Sequence, residues 1–257
     1  MKVVILAGGA GTRLAEHTAT VPKPLVEIGG RPVLWHVMKG YARWGFHDYV
    51  LCLGYKGEAI RRYFLEYDRM NTDVSVELGP GRVQAVGGAN GEADWRVLLA
   101  DTGLTTGTGG RLKRIEKYVD GDTFLATYGD SLSDVPIPEV VDFHRRSGRI
   151  ATMCVMKSTQ RFGVVSFERG IVTSFREKPD TAAEWINGGY YVFDRRVFGY
   201  FDADSAFEDA PLARLVADGQ LAAYEHRGCH RAMDTLRDVE MLNAEWSRGA
   251  APWKTWV

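Results

Sequence analysis

Apolar residues along the chain follow two alternating spacings, one typical of buried strands and one typical of amphipathic helices. Short apolar runs at Lys2–Leu6, Tyr49–Leu53 and Thr123–Thr127 predict buried strands. Between the first two runs, a helical spacing of apolar residues begins after Pro32, and the same spacing returns from Ile60 to Tyr67. Strands that alternate with helices in this way favour an α/β fold, with a mostly parallel sheet covered by helices on both faces.

The rest of the chain extends the pattern and adds shorter strands in its second half. We expect Gly79–Ala93 to be a loop, because it is rich in glycine and polar residues. The other predicted strands are Val74–Leu78, Trp95–Leu99, Ala151–Met156, Val164–Phe167, Ile171–Phe175, Tyr190–Phe193 and Leu221–Glu225. The other predicted helices are Leu112–Val119, Ala206–Asp218 and Leu236–Ser247.

Composition narrows the class of function. The formal net charge is −1 with both signs interspersed, which disfavours a nucleic-acid-binding surface because such a surface needs an excess of basic residues. The three cysteines Cys52, Cys154 and Cys229 are widely separated, so they predict buried thiols rather than a metal site. The chain carries no signal peptide and no run of 18 apolar residues, and we expect a cytoplasmic protein without membrane contact.

A glycine-rich segment follows the first strand directly. It reads Leu-Ala-Gly-Gly-Ala-Gly-Thr-Arg from Leu6 to Arg13. Glycines let several backbone N–H groups converge on one anion, and the N-terminus of a following helix adds partial positive charge there. The segment lacks the Gly-Lys-Ser/Thr of a Walker A loop and the third glycine of a dinucleotide fingerprint, which disfavours a dehydrogenase. It is therefore interpreted as a phosphate-binding loop, and the alternative is a plain turn between a strand and a helix.

Together with Pro22-Lys23-Pro24, this segment resembles the signature of the sugar-1-phosphate nucleotidylyltransferases. The similarity continues through most of the chain. The further motifs are Val26–Pro32, Gly109–Arg114, Tyr128-Gly129-Asp130, Arg161–Gly163, Phe175–Pro179, Ile186–Gly189, Met233–Asp238 and Ala251–Trp256. The segment that ends in Gly109–Arg114 and the C-terminal tail are similar to the cytidylyl branch of the family. The resemblance implies a Rossmann-like, glycosyltransferase-A-like fold as a single domain over 1–257, with a nucleotide-binding half at 1–137 and a sugar-phosphate-binding half at 138–257.

The resemblance also implies an activity and the residues that carry it. The expected enzyme transfers a cytidylyl group from CTP to a sugar 1-phosphate, with α-D-glucose 1-phosphate as the expected acceptor, and needs Mg²⁺. The implied catalytic residues are Arg13, Lys23 and Asp130, and the implied metal ligands are Asp130 and Asp234. The implied nucleotide-binding residues are Leu6, Ala7, Gly8, Gly9, Gly11, Thr12, Arg13, Lys23, Gly109, Gly110, Arg111 and Asp130. The implied sugar-phosphate-binding residues are Gly129, Glu177, Lys178, Asn187 and Gly188.

Each implied role has a plainer structural alternative. Asp130 follows a predicted strand as a turn residue would, and Asp234 precedes a predicted helix as a cap would. Arg111 is interpreted as a donor to the pyrimidine carbonyl. Phe207-Glu208 stands where the family often carries tryptophan and glutamate, so a modified sugar phosphate also remains open as the acceptor.

Three further questions stay open at the level of sequence. The same chemistry with UTP or dTTP is an alternative activity, and a catalytically silent nucleotide-sugar-sensing subunit is a non-enzymatic one. The resemblance implies a homo-oligomer of three or six copies. Trp253 and Trp256 predict that the tail either contacts another subunit or packs over its own domain.

Overall fold

A nine-stranded mixed sheet organises the computed structural model, which describes residues 1–11, 14, 20–86, 91–157, 164–176 and 185–256. The strands are β1 Val3–Leu6, β2 Glu27–Ile28, β3 Arg31–Pro32, β4 Asp48–Leu53, β5 Val74–Glu77, β6 Arg82–Ala85, β7 Arg96–Asp101, β8 Thr123–Tyr128, β9 Ser131–Ser133, β10 Ala151–Lys157, β11 Val164–Glu168, β12 Ile171–Arg176, β13 Trp185–Asp194, β14 Leu221–His226 and β15 His230–Ala232. The α-helices within those ranges are α1 Val33–Ala42, α2 Gly57–Leu65, α3 Tyr67–Asn71, α4 Thr108–Arg114, α5 Ile137–Ser147, α6 Ala210–Ala217 and α7 Leu236–Ser247.

The order of strands places the glycine-rich loop at the third strand from one edge of the sheet. The large sheet runs β10-β14-β12-β11-β13-β8-β1-β4-β7. Parallel pairing joins β1 to β4 and β8, and β4 to β7, while β13 is antiparallel to β8. The carboxyl ends of β1, β4 and β8 therefore share one edge, where ligands bind in sheets of this kind. Gly8, Gly54 and Asp130 follow those three ends.

Two apolar cores cover the two faces of the sheet. Along β1, Val3 and Ile5 point into one core and Val4 into the other, as the two-residue period of a strand requires. Helices α1, α5 and α7 contribute residues to the first core, and α4 and α6 contribute to the second. The predicted α/β class, with helices on both faces of a mixed sheet, is confirmed.

The structure differs from the predicted elements where local patterns were weak. The predicted loop Gly79–Ala93 contains β6, which pairs with β5 as a hairpin. Both strands are exposed along their whole length, so no buried face marked them in the sequence. The predicted helix Ile60–Tyr67 ends at Leu65, and α3 begins after Glu66.

The observed starts of two elements in the second half of the chain also differ from the predicted ones. Strand β13 starts at Trp185, earlier than the predicted Tyr190, because Asn187 and two glycines interrupt its apolar pattern. Helix α6 starts at Ala210, later than the predicted Ala206. Helix α7 has the predicted bounds.

The C-terminal tail packs over its own domain. Trp253 is buried and belongs to the first core, and Trp256 packs partly buried against it. Their rings lie 6.4 and 6.1 Å from the ring of His36 in α1. Of the two roles expected for these tryptophans, the structure supports the one within the chain. The helices in the described ranges are all too short or too polar to span a bilayer.

Candidate active site

A cleft of about 450 Å³ opens at the carboxyl edge of the sheet. Its walls come from the glycine-rich loop, the Lys23 turn, the loop before α4, the ends of β8 and β15, and the segment before α6. The lining residues are Leu6, Ala7, Gly8, Gly9, Gly11, Lys23, Pro24, Thr106, Gly107, Thr108, Arg111, Tyr128, Asp130, Ala206, Glu208 and Asp234. Residues from distant parts of the chain therefore converge on one site.

Lys23 projects into the cleft from a short 3₁₀ turn at Lys23–Leu25. Prolines on both sides fix the φ angles of this turn, and Val26 N donates to the carbonyl of Lys23 over 3.1 Å. The side chain is buried, and its Nζ lies 2.6 Å from Asp130 Oδ2 and 2.7 Å from Asp234 Oδ1. A rigid turn thus delivers one ammonium group between two carboxylates.

A short two-stranded ladder brings those two carboxylates together. Strand β9 begins directly after Asp130 and pairs with β15, with Ser131 opposite Ala232. Met233 N donates to the carbonyl of Asp130 over 3.2 Å. The ladder therefore fixes Asp130 beside Asp234.

Helix α7 is capped without the carboxylate of Asp234. Thr235 is its N-cap and forms a capping box with Asp238. The carboxylate of Asp234 instead faces Lys23. The structure thus excludes the plainer alternative for this residue, that of a helix cap.

The charges at this point favour an additional cation. Burial by itself would lower the pKa of Lys23, but Asp130 and Asp234 outweigh burial and raise it, so the lysine stays protonated. Two carboxylates and one ammonium leave net negative charge where their oxygens converge. Within the described ranges, no group of three or more acidic, His or Cys side chains forms a metal site. Two hard oxygen donors with room for phosphate and water ligands fit Mg²⁺, which rarely takes a full set of protein ligands.

The glycine-rich loop is shaped by close contacts with its neighbours. Gly11 has a φ of +63°, which favours glycine. A Cβ atom on Gly8 would lie 2.9 Å from Gly54 N and would overlap the guanidinium of Arg111. The first glycine therefore serves close packing, and Gly11 serves the turn.

Arg111 supports this loop from beneath the cleft. Its Nη2 donates to the carbonyl of Gly8 over 3.0 Å, and its Nη1 donates to the carbonyls of Leu53 and Gly103 and to Thr102 Oγ1 over 2.8–3.0 Å. Burial lowers the pKa of this guanidinium. The side chain lines the cleft, as expected for a nucleotide-binding residue. The acceptors of these hydrogen bonds, however, all belong to the protein. Its predicted contact with a pyrimidine carbonyl stays a prediction.

The two glycines before Arg111 have a different environment from the one the sequence suggested. A Cβ atom on Gly109 would meet the backbone of Ser205, and one on Gly110 would meet the backbone of Ala203. Gly110 N also donates to the carbonyl of Ser205 over 3.0 Å. In the described part of the chain they do not line the cleft, whereas Gly107 and Thr108 do. At the start of this helix, the residues that reach the cleft are therefore Gly107 and Thr108.

Gly129 directly follows β8, and two of the positions predicted to bind the sugar phosphate lie on β13. A Cβ atom on Gly129 would lie 3.3 Å from the carbonyl of Leu6, so this position holds two strand ends close together. Asn187 and Gly188 lie within β13, where Asn187 is half-buried and Gly188 packs on Met156. The predicted residues Thr12, Arg13, Glu177 and Lys178 lie outside the described residues.

Among the cleft residues that the sequence missed, three have side chains that are hydrogen-bonded to one another. Thr108, Tyr128 and Glu208 meet there, since both Thr108 Oγ1 and the Tyr128 hydroxyl donate to Glu208, the former over 2.6 Å. The position of Tyr128, directly before Gly129-Asp130, was the available signal for it. Glu208 was noted only beside the Phe207 departure from the family pattern.

Comparison with known proteins gives concordant matches. A family model described as nucleotidyl transferase matches residues 2–228. The chain is 45% identical to glucose-1-phosphate cytidylyltransferase of Salmonella typhi, over the full length of both proteins. It is 39% identical to the probable glucose-1-phosphate cytidylyltransferase of Bacillus subtilis, again over both full lengths.

Solved structures share the fold at lower identity. The crystal structure of HddC from Yersinia pseudotuberculosis complexed with GMP-PN superposes with a TM-score of 0.76 at 21% identity. The match covers 95% of this chain and 99% of that one. This likeness supports the fold of the whole chain.

Proposed function

This chain belongs to the nucleotidyl transferase family, and we propose that it transfers the cytidylyl group of CTP to α-D-glucose 1-phosphate, forming CDP-glucose and pyrophosphate. The observation that carries the proposal is the convergence of Lys23, Asp130 and Asp234 in a cleft walled by the glycine-rich loop. CTP and glucose 1-phosphate come from the names of the full-length relatives, which agree with each other. The reaction is a step that makes a nucleotide sugar.

The reaction needs little proton chemistry from the protein. An oxygen of the sugar phosphate attacks the α-phosphorus of CTP, and the bond from that phosphorus to the β-bridging oxygen breaks. The nucleophile is already an anion, so no general base is required. The barrier lies in bringing two polyanions together, and positioning and electrostatic stabilisation lower it.

The described residues offer the positive charge and the hydrogen-bond donors that this reaction needs. The ammonium of Lys23 has three N–H donors, of which two reach Asp130 and Asp234. Its third donor is left for an oxygen of the α-phosphate. Asp130 and Asp234 would hold Mg²⁺, which supplies positive charge against the phosphates when it is bound. The backbone of Gly8, Gly9 and Gly11 would take the remaining phosphate oxygens.

The family resemblance assigns two more cationic groups. Arg13 would contact the β- and γ-phosphates and stabilise departing pyrophosphate. Lys178, with Glu177 beside it, would bind the phosphate of the sugar. Asn187 and Gly188 would meet the sugar hydroxyls.

A nucleotide panel tests the proposal. The protein is incubated with Mg²⁺, glucose 1-phosphate and CTP, UTP, dTTP, ATP or GTP in turn, and pyrophosphate release and product mass are measured. We expect CTP to give the highest kcat/KM and a product with the mass of CDP-glucose. A higher kcat/KM with UTP or dTTP would replace the cytidylyl assignment. Binding of CDP-glucose without turnover would favour a sensing subunit.

A further inference from the structure

A line of hydrogen-bonded side chains runs from Thr108, at the start of α4, to Asn187 on β13. It begins at Thr108, whose hydroxyl donates to Glu208 Oε2 over 2.6 Å. The hydroxyl of Tyr128 donates to the other oxygen, Glu208 Oε1, and lies 3.4 Å from the hydroxyl of Tyr191. The line ends at Asn187, whose side-chain amide contacts the Tyr191 hydroxyl over 2.5 and 2.8 Å. We call these five residues the tyrosine relay.

The orientation of the Asn187 amide is fixed within this line. Gly189 N–H can only donate, and it meets Asn187 Oδ1 at 2.9 Å, so that atom is the amide oxygen. The Tyr191 hydroxyl holds the same amide on its other side. Of the two amide N–H donors, Tyr191 takes at most one, which leaves a donor for a substrate hydroxyl. A change at Tyr191 therefore changes how Asn187 is presented.

The donors along the line can point in one direction. Asn187 Nδ2 donates to the Tyr191 hydroxyl over 2.5 Å. The single proton of that hydroxyl points either to Asn187 Oδ1, 2.8 Å away, or to the Tyr128 hydroxyl, 3.4 Å away, and in the second case the line continues through Tyr128 to the carboxylate of Glu208. Burial and the neighbouring Tyr191 and Glu208 raise the pKa of Tyr128, so its hydroxyl keeps its proton. Hydrogen bonds in sequence polarise one another in a buried setting, so a change at one end is felt at the other.

The two ends of the line belong to different substrate sites. Thr108, Tyr128 and Glu208 line the cleft together with the glycine-rich loop and Asp130. Asn187 lies on β13, at the position implied for the sugar. Tyr191 connects the two, since it is buried and has no place in the cleft lining of the described residues.

We propose that Tyr128 and Tyr191 are positioning residues through which nucleotide binding at the Thr108–Glu208 end orients Asn187 for the sugar phosphate. This inference rests on the proposed function, because it needs both substrates. Linkage makes the effect reciprocal, so each substrate tightens the binding of the other by the same factor. The relay is thus a route for substrate synergy within one chain.

The test measures that synergy directly. Calorimetry gives the Kd of glucose 1-phosphate in the absence and presence of a CTP analogue with a non-hydrolysable α–β bridge. We expect about fivefold or greater tightening in the wild type, and its loss in Tyr128→Phe and in Tyr191→Phe. The double variant should lose no more than either single variant, because the two hydroxyls act as one unit.

Kinetics separates positioning from general damage. In Tyr191→Phe, KM for glucose 1-phosphate at saturating CTP and KM for CTP at saturating glucose 1-phosphate should both rise about fivefold, while kcat stays within about twofold. The matched control is Tyr224→Phe, which removes another tyrosine–carboxylate hydrogen bond, to Glu139 over 3.0 Å, away from the cleft. This control should keep the full synergy.

Different results would overturn the tyrosine relay alone or the relay together with the proposed function. Wild-type synergy in both tyrosine variants, or losses that add in the double variant, would overturn the relay while the activity stands. A wild type that releases no pyrophosphate from CTP would overturn the proposed function and the relay together. A fall in kcat with the KM values of both substrates unchanged would show a structural role only and would also overturn the inference. Loss of synergy in Tyr224→Phe would do the same.

Discussion

Lys23 is the residue on which the site depends most. Its ammonium lies between the carboxylates of Asp130 and Asp234, which come from two other parts of the chain. Charge-assisted hydrogen bonds of this kind are short and directional. In the proposed reaction, the same ammonium would stabilise the charge that develops on the α-phosphate.

Replacing this lysine tests its role at the scale of one residue. Lys23→Ala should lower kcat by about two to three orders of magnitude, because a preorganised cationic donor is lost from the transition state. Steady-state pyrophosphate release measures the loss, and circular dichroism monitors folding. The control is Lys113→Ala, which removes a lysine paired with Glu116 over 2.8 Å outside the cleft. Near-normal turnover in Lys23→Ala would remove the residue from the mechanism.

Single residues could be grouped into one candidate site from the sequence where the surrounding motif was specific. Lys23, Asp130 and Asp234 were chosen from sequence, and the structure brings them together. Arg111 was assigned to the base, yet its hydrogen bonds to loop carbonyls could not be foreseen, because backbone acceptors leave no trace in side-chain identity. Its placement depends on where three loops meet.

At the scale of elements, helix α1 carries a buried histidine surrounded by tryptophans. The His36 ring lies 5.1 Å from Trp35 and 4.7 Å from Trp246, and the tail adds Trp253 and Trp256. Its Nε2 is 2.8 Å from the carbonyl of Ile28. The ring is buried and does not line the cleft. The helix, the tail and α7 are thereby joined at one point.

This packing predicts a dependence of stability on pH. Burial lowers the pKa of His36 from its ordinary 6.5 to about 4, with the charge of Arg31 acting in the same direction. Between these two pH values, His36 is protonated in the unfolded chain but neutral in the folded chain. The free energy of unfolding therefore falls as pH falls from 6.5 toward 4. At a pH near 5 the loss from His36 is about 2 kcal/mol.

Urea unfolding near pH 7 and near pH 5 measures this loss. The wild type should lose about 2 kcal/mol more between the two pH values than His36→Phe. His230, whose pKa burial also lowers to about 4, remains in both proteins, so only the difference is compared. Equal losses in the two proteins would contradict a neutral buried His36.

Elements were predictable where apolar spacing was strong, and less so elsewhere. Helix α7 has its predicted bounds because its apolar face and capping box agree. The hairpin β5–β6 was half missed because neither strand has a buried face. Strand β13 was predicted short because Asn187 and two glycines break its apolar run.

At the scale of the whole molecule, the active site joins residues that lie far apart in sequence. Lys23 and Asp234 are 211 positions apart and form one ion pair. Their convergence depends on the parallel β1–β8 pairing, which sets the end of β8 beside the glycine-rich loop. The sequence alone placed the glycine-rich segment and Asp130 after predicted strands. It held no information on the distances between these residues and Lys23 or Asp234. The implied assembly of three or six copies stays a prediction.

In the proposed reaction, Asp130 and Asp234 together hold the divalent cation at which the two substrates meet. The most direct measurement is pyrophosphate release from CTP and glucose 1-phosphate as Mg²⁺ is titrated into EDTA-treated protein. Wild type and Asp142→Asn, an exposed control carboxylate paired with Arg145, should recover full turnover. Asp130→Asn and Asp234→Asn should need far more Mg²⁺ and remain slower by about two orders of magnitude or more. Equal Mg²⁺ dependence in all four proteins, or full turnover in EDTA, would contradict the account.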